Sequence, residues 1–213
     1  MNEHEKLLLE NKAWAQEKVH HDKDYFKKLS AIQSPKFLWI GCADSRVPAN
    51  EITHTEPGEI FVHRNIANMV VHTDLNMLSV LQFAIDHLEV EHVIVCGHYG
   101  CGGVKAAMTQ KNYGLLNKWV RNIKDVYRRH RTELEHLTQK EKEDKLVELN
   151  VKDQVENLAE TSIVQLAWEK HNRPMLHGWV YGLNDGILHD LYLMKPGAYI
   201  DPIYKLDLGQ QES

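Results

Sequence analysis

The stretch that decides the fold class is Val93-Ile94-Val95-Cys96-Gly97. A short apolar run without polar alternation is typical of a strand that is buried on both faces of a parallel sheet. Similar strands are predicted over residues 36–41 and 59–64, and Thr73-Asp74 predicts the N-cap of a helix that reaches about residue 88. This alternation of strands and helices predicts an α/β fold, in which a central, mostly parallel β-sheet is flanked by helices.

Helical spacing dominates the first part of the chain. Apolar residues recur at this spacing over residues 5–19, and a second helix is predicted over residues 24–32. These helices carry large apolar side chains with little local core around them, at Leu7, Leu8, Trp14 and Phe26. We therefore expect residues 1–32 to form an N-terminal helical arm used in self-association, as a dimer or a tetramer, within a single domain over residues 1–213.

The second half of the chain is predicted to be mainly helical before two final strands. Helices are expected over residues 104–109, 115–131 and 151–170. The charged residues 140–148 are interpreted as a solvated face. Two strands, over residues 176–181 and 187–193, are predicted to form a hairpin at Asn184-Asp185-Gly186, and residues 209–213 are expected to fray.

The composition excludes several kinds of partner. The 213 residues include 25 Lys and Arg against 30 Asp and Glu, a formal net charge of -5, so neither nucleic acid nor an anionic membrane is expected to bind. Three cysteines cannot form a fully paired disulfide framework, and the charged start of the chain lacks a secretory pattern. No apolar run approaches the roughly 18 residues of a membrane span. We therefore expect a cytoplasmic protein with a small-molecule partner.

Two thiols and one imidazole are predicted to meet at one edge of the sheet. Cys42 follows the first predicted strand, and His98 and Cys101 follow the third. The carboxyl ends of parallel strands lie at the same edge, where ligands bind in such folds. This set suits zinc, and three protein ligands with an open fourth position are typical of a catalytic zinc rather than a structural one. Cys96 lies within a strand and is expected to be a small apolar core residue.

Asp44 and Arg46 belong to the same predicted loop as Cys42. An arginine can hold a carboxylate through two charge-assisted hydrogen bonds, which keeps the carboxylate ionised. Asp44 could then accept a proton from zinc-bound water, or it could take the fourth zinc position itself when the pair is broken. The alternative is an ordinary loop salt bridge without a catalytic role.

Two motifs, Cys42-Ala43-Asp44-Ser45-Arg46 and His98-Tyr99-Gly100-Cys101-Gly102-Gly103, together resemble those of the β-class carbonic anhydrases. The likeness extends to residues 56–59, 61–65 and 177–181. It implies one zinc ion per chain, held by Cys42, His98 and Cys101, and a hydroxide that attacks carbon dioxide to give bicarbonate. Because two thiolates offset the charge of the zinc ion, we expect activity to favour alkaline pH.

The same resemblance implies roles for three polar residues. Asp44 and Arg46 match the catalytic dyad of the family, and Gln33 matches the position whose amide orients the substrate. For Gln33, the alternative is a polar residue at the end of a helix, without contact to the substrate.

Trp39, Gly41, Arg64 and Tyr181 resemble a set found in the bicarbonate-regulated (type II) subgroup of this family. The resemblance implies an allosteric bicarbonate site, because a guanidinium, a phenol and an indole N–H can together satisfy one bicarbonate. In the implied switch, bicarbonate and low pH favour a state in which Asp44 ligates the zinc. The alternative is a core tryptophan, a core tyrosine and an ion-paired arginine.

Two other functions stay open at this point. A zinc hydrolase of the same fold could act on carbonyl sulfide or carbon disulfide, because equivalent chemistry attacks both molecules. A protein of another class, a non-catalytic binding module stabilised by zinc, would use Asp44 to close the metal site permanently. The presence of Arg46 beside Asp44 in the sequence argues against the binding module.

Overall fold

A computed structural model describes residues 2–207 of the chain. These residues divide into two compact units, the first ending at Ser34 and the second beginning at Pro35. The boundary is close to the predicted end of the helical arm, and the predicted fraying of residues 209–213 lies outside the described residues. Within residues 2–207, each helix is too short or too polar to cross a bilayer.

The first unit contains helices α1 (Glu3–His21) and α2 (Tyr25–Ala31). The ring of Trp14 packs edge-on against the ring of Phe26, with centroids 5.7 Å apart. Leu7 nevertheless stays 71% exposed, and neither helix contains a buried residue. The unit therefore presents apolar side chains to its surroundings, as the sequence predicts for the arm.

The second unit is built on a five-stranded sheet. Its strands are β1 (Phe37–Cys42), β2 (Ile60–Asn65), β3 (His92–His98), β4 (Met175–Tyr181) and β5 (Leu188–Met194). They lie in the order β2-β1-β3-β4-β5, in which the first four are parallel and β5 is antiparallel to β4. The predicted α/β class with a mostly parallel sheet is confirmed, and each strand ends within one residue of its predicted bounds.

The helices of the second unit connect and cover these strands. They are α3 (Ala49–Thr53), α4 (Leu75–Gln82), α5 (Gly102–Ala107), α6 (Leu116–Arg129), α7 (Arg131–Leu134), α8 (Gln139–Ala159) and α9 (Ser162–His171). As predicted, Asp74 caps α4, and the helix continues into a π-helical turn over Phe83–His87.

The prediction of one helix over residues 151–170 is wrong, because Thr161 caps a new helix within this range and the preceding helix begins earlier, at a second threonine cap. The Thr138 N–H donates to Glu141 Oε2 at 2.8 Å, and the Thr138 hydroxyl accepts the Glu141 N–H at 3.4 Å, so α8 begins there. Thr161 caps the start of α9 in the same way, through its hydroxyl. The charged residues 140–148 therefore belong to α8, and only one side of this helix is solvated.

The two faces of the sheet are covered unequally. Helix α8 packs on one face, over the large core that contains Leu38 and Ile40. The other face carries a smaller apolar cluster around Trp39, Ile94 and Cys96. Because successive side chains of a strand point to opposite faces, neighbouring residues of β1 enter different cores.

Tyr192 of β5 is joined to α8 by its hydroxyl, which donates to Glu156 Oε1 at 3.1 Å. Burial and the nearby carboxylate raise the pKa of Tyr192 to about 12. The folded protein keeps a proton there that the unfolded chain releases near pH 10, so stability is lost as the pH rises from about 10 to 12. We expect Tyr192→Phe to reduce this decrease of the unfolding free energy with pH, measured by urea unfolding between neutral pH and about pH 11.

The control for this prediction is Tyr199→Phe, at a side chain that is 79% exposed. This variant should lose stability with pH as the unmodified protein does. An equal alkaline loss in all three proteins would contradict the role of Tyr192.

Candidate metal centre

Three side chains with metal-binding atoms converge at the carboxyl edge of the sheet. Cys42 is the last residue of β1, His98 is the last residue of β3, and Cys101 is the N-cap of α5. Their ligand atoms lie within 4.8 Å of one another, the two sulfur atoms are 3.9 Å apart, and all three residues are buried. Because β1 and β3 are neighbours in the sheet, the topology brings together residues that are far apart in the sequence.

The imidazole of His98 is oriented by a backbone carbonyl. Nδ1 lies 3.1 Å from the Tyr99 carbonyl oxygen and donates to it in the tautomer that this contact requires. Nε2 is buried and has no hydrogen-bond partner among the described residues. Histidine ligands commonly donate from one ring nitrogen to a carbonyl and bind the metal through the other. Together with the two thiols, this nitrogen forms a donor set that fits zinc.

The two thiols influence each other's protonation. A hydrogen bond from the Cys101 thiol lowers the pKa of Cys42, with smaller contributions from His98 and from the backbone N–H groups of Asp44 and Ala67. The same hydrogen bond and burial raise the pKa of Cys101. Thiolates are the metal-binding form, so zinc binding releases protons from this pair, and the backbone N–H groups stabilise the bound form.

Asp44 and Arg46 form a two-pronged ion pair beside these ligands. Arg46 Nε donates to Asp44 Oδ1 at 2.9 Å, and Nη2 donates to Oδ2 at 2.7 Å. These hydrogen bonds hold the pKa of Asp44 well below its usual range, so the carboxylate stays ionised. Asp44 Oδ2 is 3.7 Å from His98 Nε2, which places the carboxylate next to the candidate metal position.

All four predicted bicarbonate residues belong to the face of the sheet that carries the smaller core. Trp39 is fully buried, and its indole N–H has no hydrogen-bond partner among the described residues. The indole lies over Gly41 and leaves no room for a side chain at that position. A Cβ atom added to Gly41 would be only 2.3 Å from Trp39 Nε1. Tyr181 packs against the same apolar cluster as Trp39. The structure therefore places an unpartnered N–H donor and a phenol on this face.

Arg64, the fourth of these residues, pairs with Gly41 across the parallel strands. Its Nε donates to the Cys42 carbonyl oxygen at 2.9 Å, and its Nη2 donates to the Asp44 carbonyl oxygen. Arg64 is therefore engaged with the backbone of the loop that carries Cys42, a candidate metal ligand, and Asp44. This connection was not predicted, because backbone acceptors give no side-chain signal in the sequence.

Gln33 lies exposed between α2 and β1. It belongs to the first unit, which ends at Ser34. Its role in orienting the substrate stays a prediction.

Sequence reasoning missed the loop that follows β2. Ala67 and Asn68 are buried, and both adopt the left-handed conformation, with φ of 64° and 49°. The backbone of Ala67 also contributes to lowering the pKa of Cys42. The one available signal is Asn68, since asparagine is enriched among residues with positive φ.

The fold and the site together define a class of protein, an α/β metalloenzyme with a Cys-His-Cys centre at the carboxyl edge of a parallel sheet. Comparison with known proteins is more specific. The carbonic anhydrase family matches residues 37–188. A carbonic anhydrase of Emericella nidulans is 49% identical over 209 residues, which cover 97% of this chain and 92% of that protein. The chain belongs to the β-class carbonic anhydrases, which are zinc enzymes.

Solved structures agree with this assignment. A Coccomyxa β-carbonic anhydrase, in complex with acetazolamide, has a TM-score of 0.86 and 39% identity, covering 89% of this chain and 87% of that one. One of two tetrameric β-carbonic anhydrases from Sordaria macrospora has a TM-score of 0.87 and 36% identity, covering 91% of this chain and 100% of that one. Membership in a family of enzymes favours the catalytic interpretation over a zinc-stabilised binding module.

Proposed function

We propose that this chain catalyses the zinc-dependent, reversible hydration of carbon dioxide to bicarbonate and a proton. The observation that carries the proposal is the position of the Asp44 carboxylate. Arg46 holds this carboxylate, and Asp44 Oδ2 lies 3.7 Å from His98 Nε2, which has no hydrogen-bond partner among the described residues. Cys42, His98 and Cys101 hold one zinc ion in this proposal. When bound, zinc acts as a Lewis acid that lowers the pKa of water from 15.7 toward about 7 and so provides a nucleophile for carbon dioxide.

Asp44 acts as the proton acceptor in this scheme. Both carboxylate oxygens are held by Arg46, and Oδ2 is the oxygen that lies near the ligand nitrogen of His98. Because the carboxylate is ionised, it can accept a hydrogen bond from water at the metal position but cannot donate one. Arg46 positions Asp44 and keeps it away from the metal.

The direct test is a pH series of carbon dioxide hydration on protein whose zinc content is quantified. We expect one zinc per chain and a rate that rises toward alkaline pH. Asp44 does not titrate in this range, because its pKa lies well below its usual range, so the rise reports formation of the nucleophile. Zinc-loaded, folded protein without hydration at any pH would overturn the proposal, and faster release of sulfide from carbonyl sulfide or carbon disulfide would favour the alternative hydrolase.

The proposal includes inhibition by bicarbonate bound near Trp39, Gly41, Arg64 and Tyr181. Arg64 supplies the physical link to the metal, because its guanidinium already binds the carbonyl groups of Cys42 and Asp44. Bicarbonate that draws this guanidinium away frees the loop, so that Asp44 can leave Arg46 and close the metal site. Low pH favours the same closed state, because protons oppose formation of the nucleophile. Couplings of this kind typically change affinity by about 5–150-fold.

Two variants test this regulation. Arg64→Ala and Tyr181→Phe should each weaken bicarbonate inhibition of hydration while zinc stays bound, because each removes one donor to the anion. Tyr199→Phe, at an exposed site, is the control and should be inhibited normally. Unchanged inhibition in both test variants would refute the regulatory site without affecting the catalytic assignment.

The chain is also proposed to self-associate as a dimer or a tetramer. The exposed apolar residues of α1 support this, and the Sordaria macrospora relative is tetrameric. Light scattering should therefore show a multiple of the 24.7 kDa chain. Deleting about the first 20 residues should dissociate or destabilise the assembly, because it removes unburied apolar surface. An active monomer at working concentration would contradict the proposal. A cytoplasmic location stays a prediction.

A further inference from the structure

The loop after β2 is held in an unusual backbone conformation. Ala67 and Asn68 are consecutive left-handed residues, and neither is glycine. In this conformation the Cβ atom approaches the following carbonyl oxygen, which makes it unfavourable for alanine. Such conformations persist only where the surrounding structure enforces them. Asn65 and Trp119 hydrogen-bond this loop at Met69 and Ile66, and further side chains that fasten it lie on α8.

Three amide side chains of α8 fasten the loop, and we call them the amide ladder (Asn150, Gln154 and Asn157). Asn150 Nδ2 donates to the Ala67 carbonyl oxygen at 3.1 Å, and Gln154 Oε1 accepts the Val70 N–H at 2.7 Å. Asn157 Nδ2 donates to the Val70 carbonyl oxygen at 3.0 Å. Gln154 Nε2 also donates to Asn150 Oδ1 at 3.2 Å, which links the ladder internally.

The ladder is regularly spaced, with two of its members buried and Asn157 partly buried. Asn150 and Gln154 are each 1% exposed. Their spacing of four residues, followed by three to Asn157, places all three side chains on one face of the helix. Burying amides in a core is costly unless each is hydrogen-bonded, so an apolar face would serve better if α8 only had to pack on the sheet.

The other side of the loop lies against the neighbours of the metal ligands. A Cβ added at Gly103, two residues after Cys101, would be 3.0 Å from the Ala67 Cβ. A Cβ added at Gly97, immediately before His98, would be 3.4 Å from Asn68 Oδ1. The loop therefore lies against the backbone next to two of the three candidate ligands, His98 and Cys101.

We propose that the amide ladder positions the metal centre, by holding Ala67 in the left-handed conformation that seats this loop against Gly97 and Gly103, beside the ligand residues His98 and Cys101. Asn150, Gln154 and Asn157 are positioning residues, because they act on the metal site only through the loop. The inference rests on the zinc site of the proposed function. Replacing groups that support metal ligands typically costs 10–100-fold in metal affinity.

The test variant is Asn150→Leu, which removes the donor to the Ala67 carbonyl and keeps the number and branching of the side-chain heavy atoms. We expect the zinc dissociation constant, measured by competition with a chromogenic chelator, to rise about 10–100-fold. The thiolate-to-metal charge-transfer band of the cobalt-loaded protein should also shift, because the loop no longer fixes the backbone beside His98 and Cys101. Val155→Ala is the matched control, since Val155 is buried on the same helix but packs near Gly178 of β4.

Val155→Ala should lower thermal stability while zinc affinity and the cobalt spectrum stay unchanged. If Asn150→Leu also lowers thermal stability but leaves zinc affinity and the cobalt spectrum unchanged, the ladder only stabilises the fold and the inference is overturned. Wild-type protein is measured first: absence of stoichiometric zinc there refutes the proposed function together with this inference. Normal zinc binding in both wild type and Asn150→Leu refutes this inference alone.

A second-site variant makes the test specific for backbone conformation. Glycine adopts positive φ readily, so a loop with Ala67→Gly depends less on the ladder. We expect the double variant Asn150→Leu with Ala67→Gly to recover several-fold of the zinc affinity lost in Asn150→Leu, and to restore the cobalt band toward its wild-type position. No recovery would show that the ladder does not act through the conformation of residue 67.

Discussion

Cys101→Ala is expected to release zinc and to abolish carbon dioxide hydration. The Cys101 sulfur is 3.9 Å from the Cys42 sulfur and within 4.8 Å of the ligand atom of His98. Removing it leaves one thiol and one imidazole, one ligand fewer than the three protein ligands of a typical catalytic zinc site. Zinc measured per chain should fall far below one, and the hydration rate should fall to the uncatalysed background.

Cys96→Ala is the matched control, because it deletes the same atom from a neighbouring strand position. The Cys96 sulfur belongs to the smaller core and donates to the Gly97 carbonyl oxygen at 3.3 Å, and burial raises the pKa of this thiol. It is therefore a poor metal ligand, and the variant should keep its zinc and its activity. Stoichiometric zinc and full turnover in Cys101→Ala would show that the ligand assignment is wrong.

The sheet and its metal-binding edge were predictable because their signals are local. The apolar run at residues 93–97 identifies a buried strand without reference to the rest of the chain. Cys42 and His98 each end a strand, and parallel neighbours must bring their carboxyl ends to one edge. Asp44 and Arg46 are two residues apart, so their pairing needs no long-range contact.

The parts that sequence reasoning missed depend on backbone groups or distant contacts. The Thr138 cap that begins α8 lies beside a run of charged residues, which we interpreted as a solvated face rather than as helix. The left-handed conformation of Ala67 is a property of the backbone, and an alanine gives no signal for it in the sequence. Its anchor, Asn150, is 83 positions away, and only the packing of α8 on the sheet brings the two together.

Arg46→Ala is expected to lower kcat for hydration by about 10²–10⁴-fold while zinc stays bound, the range usual for loss of a positioned acid or base. Arg46 is outside the group that can hold the metal, but it supplies two side-chain donors to Asp44. Without them, Asp44 keeps the hydrogen bond that the backbone N–H of residue 46 donates to Oδ1 at 3.0 Å, but Oδ2 can turn toward the metal position beside His98 Nε2, 3.7 Å away. Stability should change little, because the Arg46 side chain is 60% exposed and such pairs contribute about 0–1 kcal/mol.

A double-mutant cycle shows whether Arg46 acts through Asp44. Asp44→Asn alone should also lower kcat, and adding Arg46→Ala to it should cost little more, because residues that act as one unit are not additive. Arg128→Ala is the control: this arginine is 72% exposed and pairs with Asp125 at 3.3 Å on α6, so its loss should leave kcat unchanged. Near-normal turnover in zinc-loaded Arg46→Ala would show that Asp44 and Arg46 form an ordinary surface ion pair without a role in catalysis. Multiplicative losses in the double variant would instead mean that Arg46 contributes to turnover independently of the carboxylate it holds.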